Sequence, residues 1–229
     1  VEAGRAISYA RLGDYWGADL AVNRGRNNFD NLRIDYYRDD TVALEAFKAH
    51  EFDWRTENTA KVWAKAYNGP AIEAGLINKI EIPHEQPTGL SAFVFNTRQP
   101  LFADRRVREA LALVFDYEWT NKNLFFGAYT RTRSYFSNSE LASSGLPSAA
   151  ELALLEPYRG RIPDEVFTTE FIPPTTDGSG KNRRSLRAAS KLLREAGWVV
   201  SDGKLVHGET GAPFEFEFLM QSGGAFERI

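Results

Sequence analysis

Segments that alternate apolar and polar residues recur between segments whose apolar residues follow helical spacing, and this interleaving restricts the chain to the α/β class. Leu32-Arg33-Ile34-Asp35-Tyr36 has the two-residue period of a half-buried strand. Glu51–Trp54, Ile77–Ile82, Ser91–Asn96 and Phe214–Leu219 are read as further strands. Asp39 or Asp40 can cap a helix over Thr41–Ala49, with Val42, Leu44, Ala46 and Phe47 as its apolar set. Helices are also expected over Asn58–Tyr67 and Pro70–Ala74, divided by Asn68-Gly69. Asp104 caps the clearest amphipathic helix: Val107, Ala110, Leu111 and Val114 share one face, and Arg105, Arg106, Arg108 and Glu109 the other. Tyr117–Phe126 and Arg184–Ala196 follow, stopped by Gly127 and Gly197, and Val199–Val206 reads as a hairpin around Ser201-Asp202-Gly203. Two stretches lack periodicity. The first thirty residues are expected to be an irregular loop with local packing, and 130–183, rich in proline and glycine, a long irregular segment that is either functional or wrapped over a partner surface.

Composition removes several functions. With 229 residues and 43% hydrophobic content, the chain can bury one large or two small cores. Its 28 basic and 31 acidic residues nearly cancel, which argues against a nucleic-acid binder. No apolar run approaches the roughly 18 residues of a membrane span. Without cysteine there is no disulfide, thiolate metal site or cysteine nucleophile. His50, His84 and His207 stand far apart, without metal-ligand spacing, and are read as surface or capping residues. No metal or cofactor is expected. The chain starts at Val1 and stops at Arg228-Ile229, soon after a strand-like run, so an internal fragment of a longer protein is expected.

Asp177-Gly178-Ser179-Gly180 matches neither phosphate-binding glycine pattern and offers no nucleophile elbow, so it is read as a surface turn. Asp39 and Asp40 are explained by helix capping. Glu51, Asp53 and Glu57 flank Trp54 and Arg55 at an expected strand-to-helix crossing, a place where α/β folds bind ligands and where ion pairs are also ordinary. The loop Tyr129-Thr-Arg-Thr-Arg-Ser-Tyr-Phe136 mixes aromatic and polar groups as a solute cleft does, which marks Arg133 and Tyr135. Its arginines can clamp a carboxylate or merely solvate the loop.

Phe93-Val-Phe-Asn-Thr-Arg98, Pro100-Leu-Phe-Ala-Asp104 and Val107-Arg-Glu-Ala-Leu111 resemble the hallmark stretch of the family 5 bacterial extracellular solute-binding proteins. Ala188-Ala-Ser-Lys-Leu-Leu-Arg-Glu-Ala-Gly-Trp198 is similar to that family's second signature helix, and Asp14-Tyr-Trp-Gly17 to its upstream segment. Tyr36-Tyr-Arg-Asp39, Arg55-Thr-Glu-Asn58, Phe115–Lys122 and Arg133–Leu141 resemble the YejA-like oligopeptide-binding subgroup. His50 stands where the family usually has glycine, so a strained or rearranged turn is expected there.

The resemblance implies a class II, two-lobed periplasmic-binding-protein fold with only part of each lobe present. Residues 1–100 would be the C-terminal portion of lobe I and 101–229 the start of lobe II, with the hinge near 96–106. It further implies a monomeric periplasmic receptor of an ABC importer, its signal peptide in the missing N-terminal part. Such a receptor closes its lobes on an oligopeptide or peptide-like solute and delivers it to permease subunits in the inner membrane, with no nucleic acid and no cofactor involved. By position, Arg55, Glu57 and Asn58 match the stretch facing the peptide from lobe I, while Ser91 and Phe93 lie on the strand leading to the hinge. Two alternatives stand beside this reading. One is a cleft hydrolase using Glu57 with Asp53 or Arg55; the other is a receptor for nickel or haem on the same fold.

Overall fold

The structure, a computed structural model, describes residues 4–220. In chain order its elements begin β1 (Ala6–Ala10), β2 (Asn31–Asp35), α1 (Asp40–Lys48), α2 (Ala60–Lys65), α3 (Pro70–Glu73) and α4 (Pro100–Ala103). They continue α5 (Arg105–Val114), α6 (Tyr117–Leu124), α7 (Ala149–Leu155), α8 (Glu165–Thr168), α9 (Arg183–Glu195), β3 (Trp198–Ser201) and β4 (Lys204–His207). The chain forms two compact units, residues 1–58 with 67–79 and residues 59–66 with 80–229. The hinge expected near 96–106 lies inside the second unit.

In the first unit β1 pairs antiparallel with β2, Ile7 opposite Ile34, and Arg11 N–H donating to the Asp30 carbonyl extends the ladder. The opening residues are thus partly a strand, which corrects the expectation of a loop. Five residues are too few for a visible period, and their partner lies beyond the turn-formers of 14–30. Helix α1 starts where expected, because Asp39 accepts a hydrogen bond from Val42 N–H at 2.9 Å. It buries Ala43, Leu44 and Ala46, whereas Val42 is exposed. Glu51–Trp54 is not a strand; Phe52 packs on Phe47 and Tyr37 at 5.4 and 5.7 Å.

The end of α1 shows what histidine does at the turn. Glu51 N–H reaches back to the Ala46 carbonyl and His50 N–H to the Phe47 carbonyl, which closes a Schellman-type cap. That cap places His50 at φ 63°, the left-handed region that favours glycine. His50→Gly is therefore expected to stabilise the chain by about 1 kcal/mol, read as a higher urea midpoint at unchanged m-value.

The second unit is built on α5 packed against α9. Val107, Phe102 and Trp198 form the core, with Phe95, Leu111, Leu193, Leu205 and Phe214 against it. Ala110 and Ala189, both buried, add small side chains to these two helices. Asp104 caps α5 by accepting from Arg106 N–H at 2.8 Å, and the Arg106 guanidinium holds the Asp104 carboxyl below its ordinary value. The same guanidinium donates to the Glu195 carbonyl at 2.5 Å, so the start of α5 satisfies the end of α9. Gly197, at φ 88°, turns the chain into the β3–β4 hairpin. Asp202 and Gly203, at φ 50° and 77°, form its tight turn.

Three expected strands are absent as ladders. Among the described residues Ile77–Ile82, Ser91–Asn96 and Phe214–Leu219 carry no strand pairing beyond an isolated bridge and one hydrogen bond next to β4. The alternation itself is present. Phe214, Phe216 and Phe218 meet Trp198, Phe102 and Phe93 at 4.8, 5.5 and 5.0 Å, so one face of the segment is committed to aromatic packing. The segment 130–183 is more ordered than expected. Ser148 and Glu151 form a reciprocal capping box at the start of α7, and Glu156–Tyr158 adds a 3₁₀ turn. Two turns of Ala, Glu and Leu are too short for a clear period, so Ser-x-x-Glu is the readable signal.

Candidate functional site

In the first unit the chain leaving α1 brings Arg55 and Glu57 beside Tyr67. Arg55 donates to Tyr67 Oη at 3.2 Å and to Glu57 Oε2 at 3.3 Å, and Tyr67 O–H donates to the same carboxylate at 3.3 Å. The arginine and glutamate side chains are only 11% and 5% exposed. Burial pulls the Arg55 guanidinium down, but its bond to Tyr67 and the Glu57 charge outweigh that and leave it above its ordinary value. Burial raises the Tyr67 hydroxyl. Phe47 packs edge-on against the Tyr67 ring at 6.5 Å, and the Lys79 ammonium sits 5.7 Å from its centre. Arg55 and Glu57 thus direct their charges at each other, while Asn58 is exposed.

In the second unit α6 anchors the aromatic loop. Asn121 uses both ends of its amide on Tyr129, accepting from its N–H at 3.1 Å and donating to its carbonyl at 2.7 Å. Further along, Asn138 donates to the His84 and Gln86 carbonyls, and Ser134 Oγ accepts from Phe136 N–H and Ser143 N–H, each at 3.2 Å. Beyond the loop, Thr176 ties the 173–176 strap to α6. Its hydroxyl donates to Asp116 Oδ1 at 2.5 Å, and its N–H to Glu118 Oε2 at 3.0 Å. The result is a concavity of about 330 Å³ lined by Glu118, Arg131, Arg133, Ser134, Asn138 and Ser143, among others. That is the lower end of the size range of small-molecule pockets, roughly 300–1,000 Å³.

The two loop arginines occupy different environments. Arg131 donates to the Pro174 carbonyl and lies over the Tyr117 and Phe115 rings at 5.3 and 6.0 Å. Burial pulls its guanidinium below the ordinary value, against the opposing charge of Glu118. Arg133 is exposed and makes no hydrogen bond or ion pair among the described residues. Tyr135 is 78% exposed. Ser91 is exposed as well, and Phe93 stacks edge-on against Phe218. Of the residues singled out in the sequence, Arg55, Glu57 and Asn58 belong to the first unit and Ser91, Phe93, Arg133 and Tyr135 to the second. Glu118 and Asn138 are not marked individually in the sequence, because their place in the concavity depends on the Thr176 strap and the His84 segment, both remote in the chain, whereas Ser134 lies within the aromatic loop itself. No group of three His, Asp or Glu side chains stands at metal-binding distance among the described residues.

The family model of the bacterial extracellular solute-binding proteins, family 5, matches residues 1–228. The chain belongs to this family. YejA of Escherichia coli (strain K12) is 50% identical to this family 5 chain over 95% of its length, which is 36% of YejA. The probable peptide-binding protein YejA of Agrobacterium fabrum is 39% identical over 98% of the chain and 37% of the relative. The peptidoglycan-binding protein YepA of the same bacterium is 38% identical over 99% of the chain and 38% of YepA. The chain therefore spans little more than a third of the curated relatives it matches. Family 5 is a family of bacterial extracellular solute-binding proteins.

Proposed function

We propose that this chain belongs to the substrate-binding component of an ABC importer, a periplasmic receptor that takes oligopeptides or peptide-like solutes between two lobes for inner-membrane permease subunits. The observation that carries this reading is the family match along residues 1–228. Two relatives, one bearing the name peptide-binding and the other peptidoglycan-binding, support the peptide-like class of solute. In this reading residues 1–100 contribute to lobe I and 101–229 to lobe II, with the hinge near 96–106, and the receptor works as a monomer. Closure onto the solute is the signal passed to the permease, since only contacts that differ between open and closed states can shift that equilibrium. Asn58, Ser91, Phe93, Arg133 and Tyr135 are the proposed contacts, and Arg55 and Glu57 join them where a ligand competes for their pair. Phe93 and Tyr135 supply rigid aromatic area at low entropic cost.

The test is to purify the natural full-length protein from periplasm, denature it, and identify the released small molecules by mass spectrometry. A family of peptides of related length is the expected result. A single non-peptide compound such as haem would overturn the peptide reading and keep the receptor reading. Turnover of a peptide substrate without retained ligand would overturn both.

A further inference from the structure

We propose that the outer face of α9 is a docking surface for an anionic phospholipid bilayer, engaged through a stripe of Arg183, Arg184, Arg187, Lys191 and Arg194. This goes beyond the solute-binding reading and involves none of its proposed contacts. At 3.6 residues per turn these positions fall within about 100° of the helix circumference and run about 16 Å along its axis. All of them are exposed, while Ala189 on the opposite side is buried and Leu193 packs against the core. The chain as a whole balances 28 basic residues against 31 acidic ones, yet the only acid within α9 is Glu195. Its carboxylate lies 3.7 Å from Lys191 with both side chains exposed, a screened pair of little strength. The four arginines of the stripe make no ion pair among the described residues.

The fold does not call for these cations. Arg183 and Arg184 occupy the first turn of α9, which holds no acidic residue and no side-chain cap, so both sit against the positive end of the helix dipole. Cations kept where the helix itself disfavours them point to an external anion. The shape of the stripe selects among anions. Its members project from a convex helix face, and their neighbours on that face are the small residues Ala188 and Ser190. The stripe thus lacks the large apolar or aromatic anchor that dominates protein–protein interfaces. A fluid layer of phosphodiester headgroups needs no anchor, because it rearranges to the spacing of the charges. Arginine suits it further, since a guanidinium meets a phosphate with two parallel N–H bonds. With a formal net charge of -3 on the whole chain, a local concentration of this kind is what draws it to an anionic surface and sets which face approaches.

Flotation of the natural full-length protein with lipid vesicles tests the surface. Vesicles of phosphatidylglycerol and phosphatidylcholine in equal parts are compared with pure phosphatidylcholine, at about 20 mM and about 500 mM salt, which shortens the screening length from roughly 20 Å to roughly 4 Å. Binding is expected to the anionic vesicles at low salt alone. Each neutralised arginine should weaken it about 5-fold, so Arg184→Gln with Arg187→Gln about 25-fold. Arg184→Lys with Arg187→Lys should keep most of the binding. Arg26→Gln with Arg38→Gln, which neutralises two exposed arginines of the first unit, should leave it unchanged. Peptide capture by the α9 variants should equal that of the unsubstituted protein, so the docking surface and the solute reading stand or fall separately. No binding to anionic vesicles, equal binding to neutral ones, binding indifferent to the α9 substitutions, or a comparable loss in the Arg26 and Arg38 variant would each overturn the proposal. Retention on native membranes but not on vesicles of their extracted lipids would overturn it in favour of a membrane protein as the occupant.

Discussion

Replacing Trp198 by alanine is expected to destabilise the second unit by about 3–5 kcal/mol, the range for removing a large aromatic side chain from a packed core. Trp198 is 7% exposed and packs edge-on against Phe214 at 4.8 Å and His207 at 5.3 Å. It shares its cluster with Val107 of α5 and Phe102 of α4, and so joins the β3–β4 hairpin to the helical pair. Neighbours on helices and a hairpin cannot collapse fully into the space left, and the residual cavity adds to the lost burial. A loss of that size is a large share of the roughly 5–15 kcal/mol that holds a domain folded. Urea denaturation followed by far-ultraviolet circular dichroism measures it, since fluorescence would lose one of its own reporters. Trp198→Phe should retain more than half of the stability lost by the alanine variant. A Trp198→Ala change under about 1 kcal/mol would remove this cluster from the core.

Glu57→Ala is expected to cost about 3–5 kcal/mol, because it leaves the Arg55 guanidinium buried without its carboxylate. The cause is desolvation more than lost attraction. Arg55 is 11% exposed, its other carboxylate partner Asp40 lies 3.9 Å away, and Asp40 is itself 96% exposed and hydrated. Glu57→Gln keeps an acceptor for Arg55 and Tyr67 and should cost less. The double replacement Arg55→Met with Glu57→Leu removes both charges and is expected to cost less than Glu57→Ala, the residual loss coming from the Tyr67 hydroxyl that loses both of these partners. A double-mutant cycle on unfolding free energy reads the coupling directly. Additive single losses would show that the pair does not act as a unit.

Elements specified within a few residues are legible in the sequence itself. Asp39 and Asp104 cap their helices from positions that the chain alone marks, Gly197 ends α9, and Asp202-Gly203 turns the hairpin. His50 is a misfit at a glycine turn, and its left-handed backbone is the physical form of that misfit. Strands are harder to read, because a strand is completed by a partner. Ser91–Asn96 and Phe214–Leu219 keep their alternation as an aromatic face without a ladder among the described residues, whereas the short β1 is defined only by β2 lying opposite it.

The candidate site divides along the same line. Its residue types can be named from the chain alone: Arg55 and Glu57 near a helix entry, and two arginines two residues apart in an aromatic loop. Which of these side chains are already committed is decided by tertiary structure. Arg55 and Glu57 are joined by Tyr67, and Arg131 is held by a carbonyl 43 residues away, whereas Arg133 remains open to solvent. Propensity and capping act over one or two turns and so are written locally. The burial of a charge depends on groups brought from remote parts of the chain, and only their packing determines which arginine is left to meet a ligand.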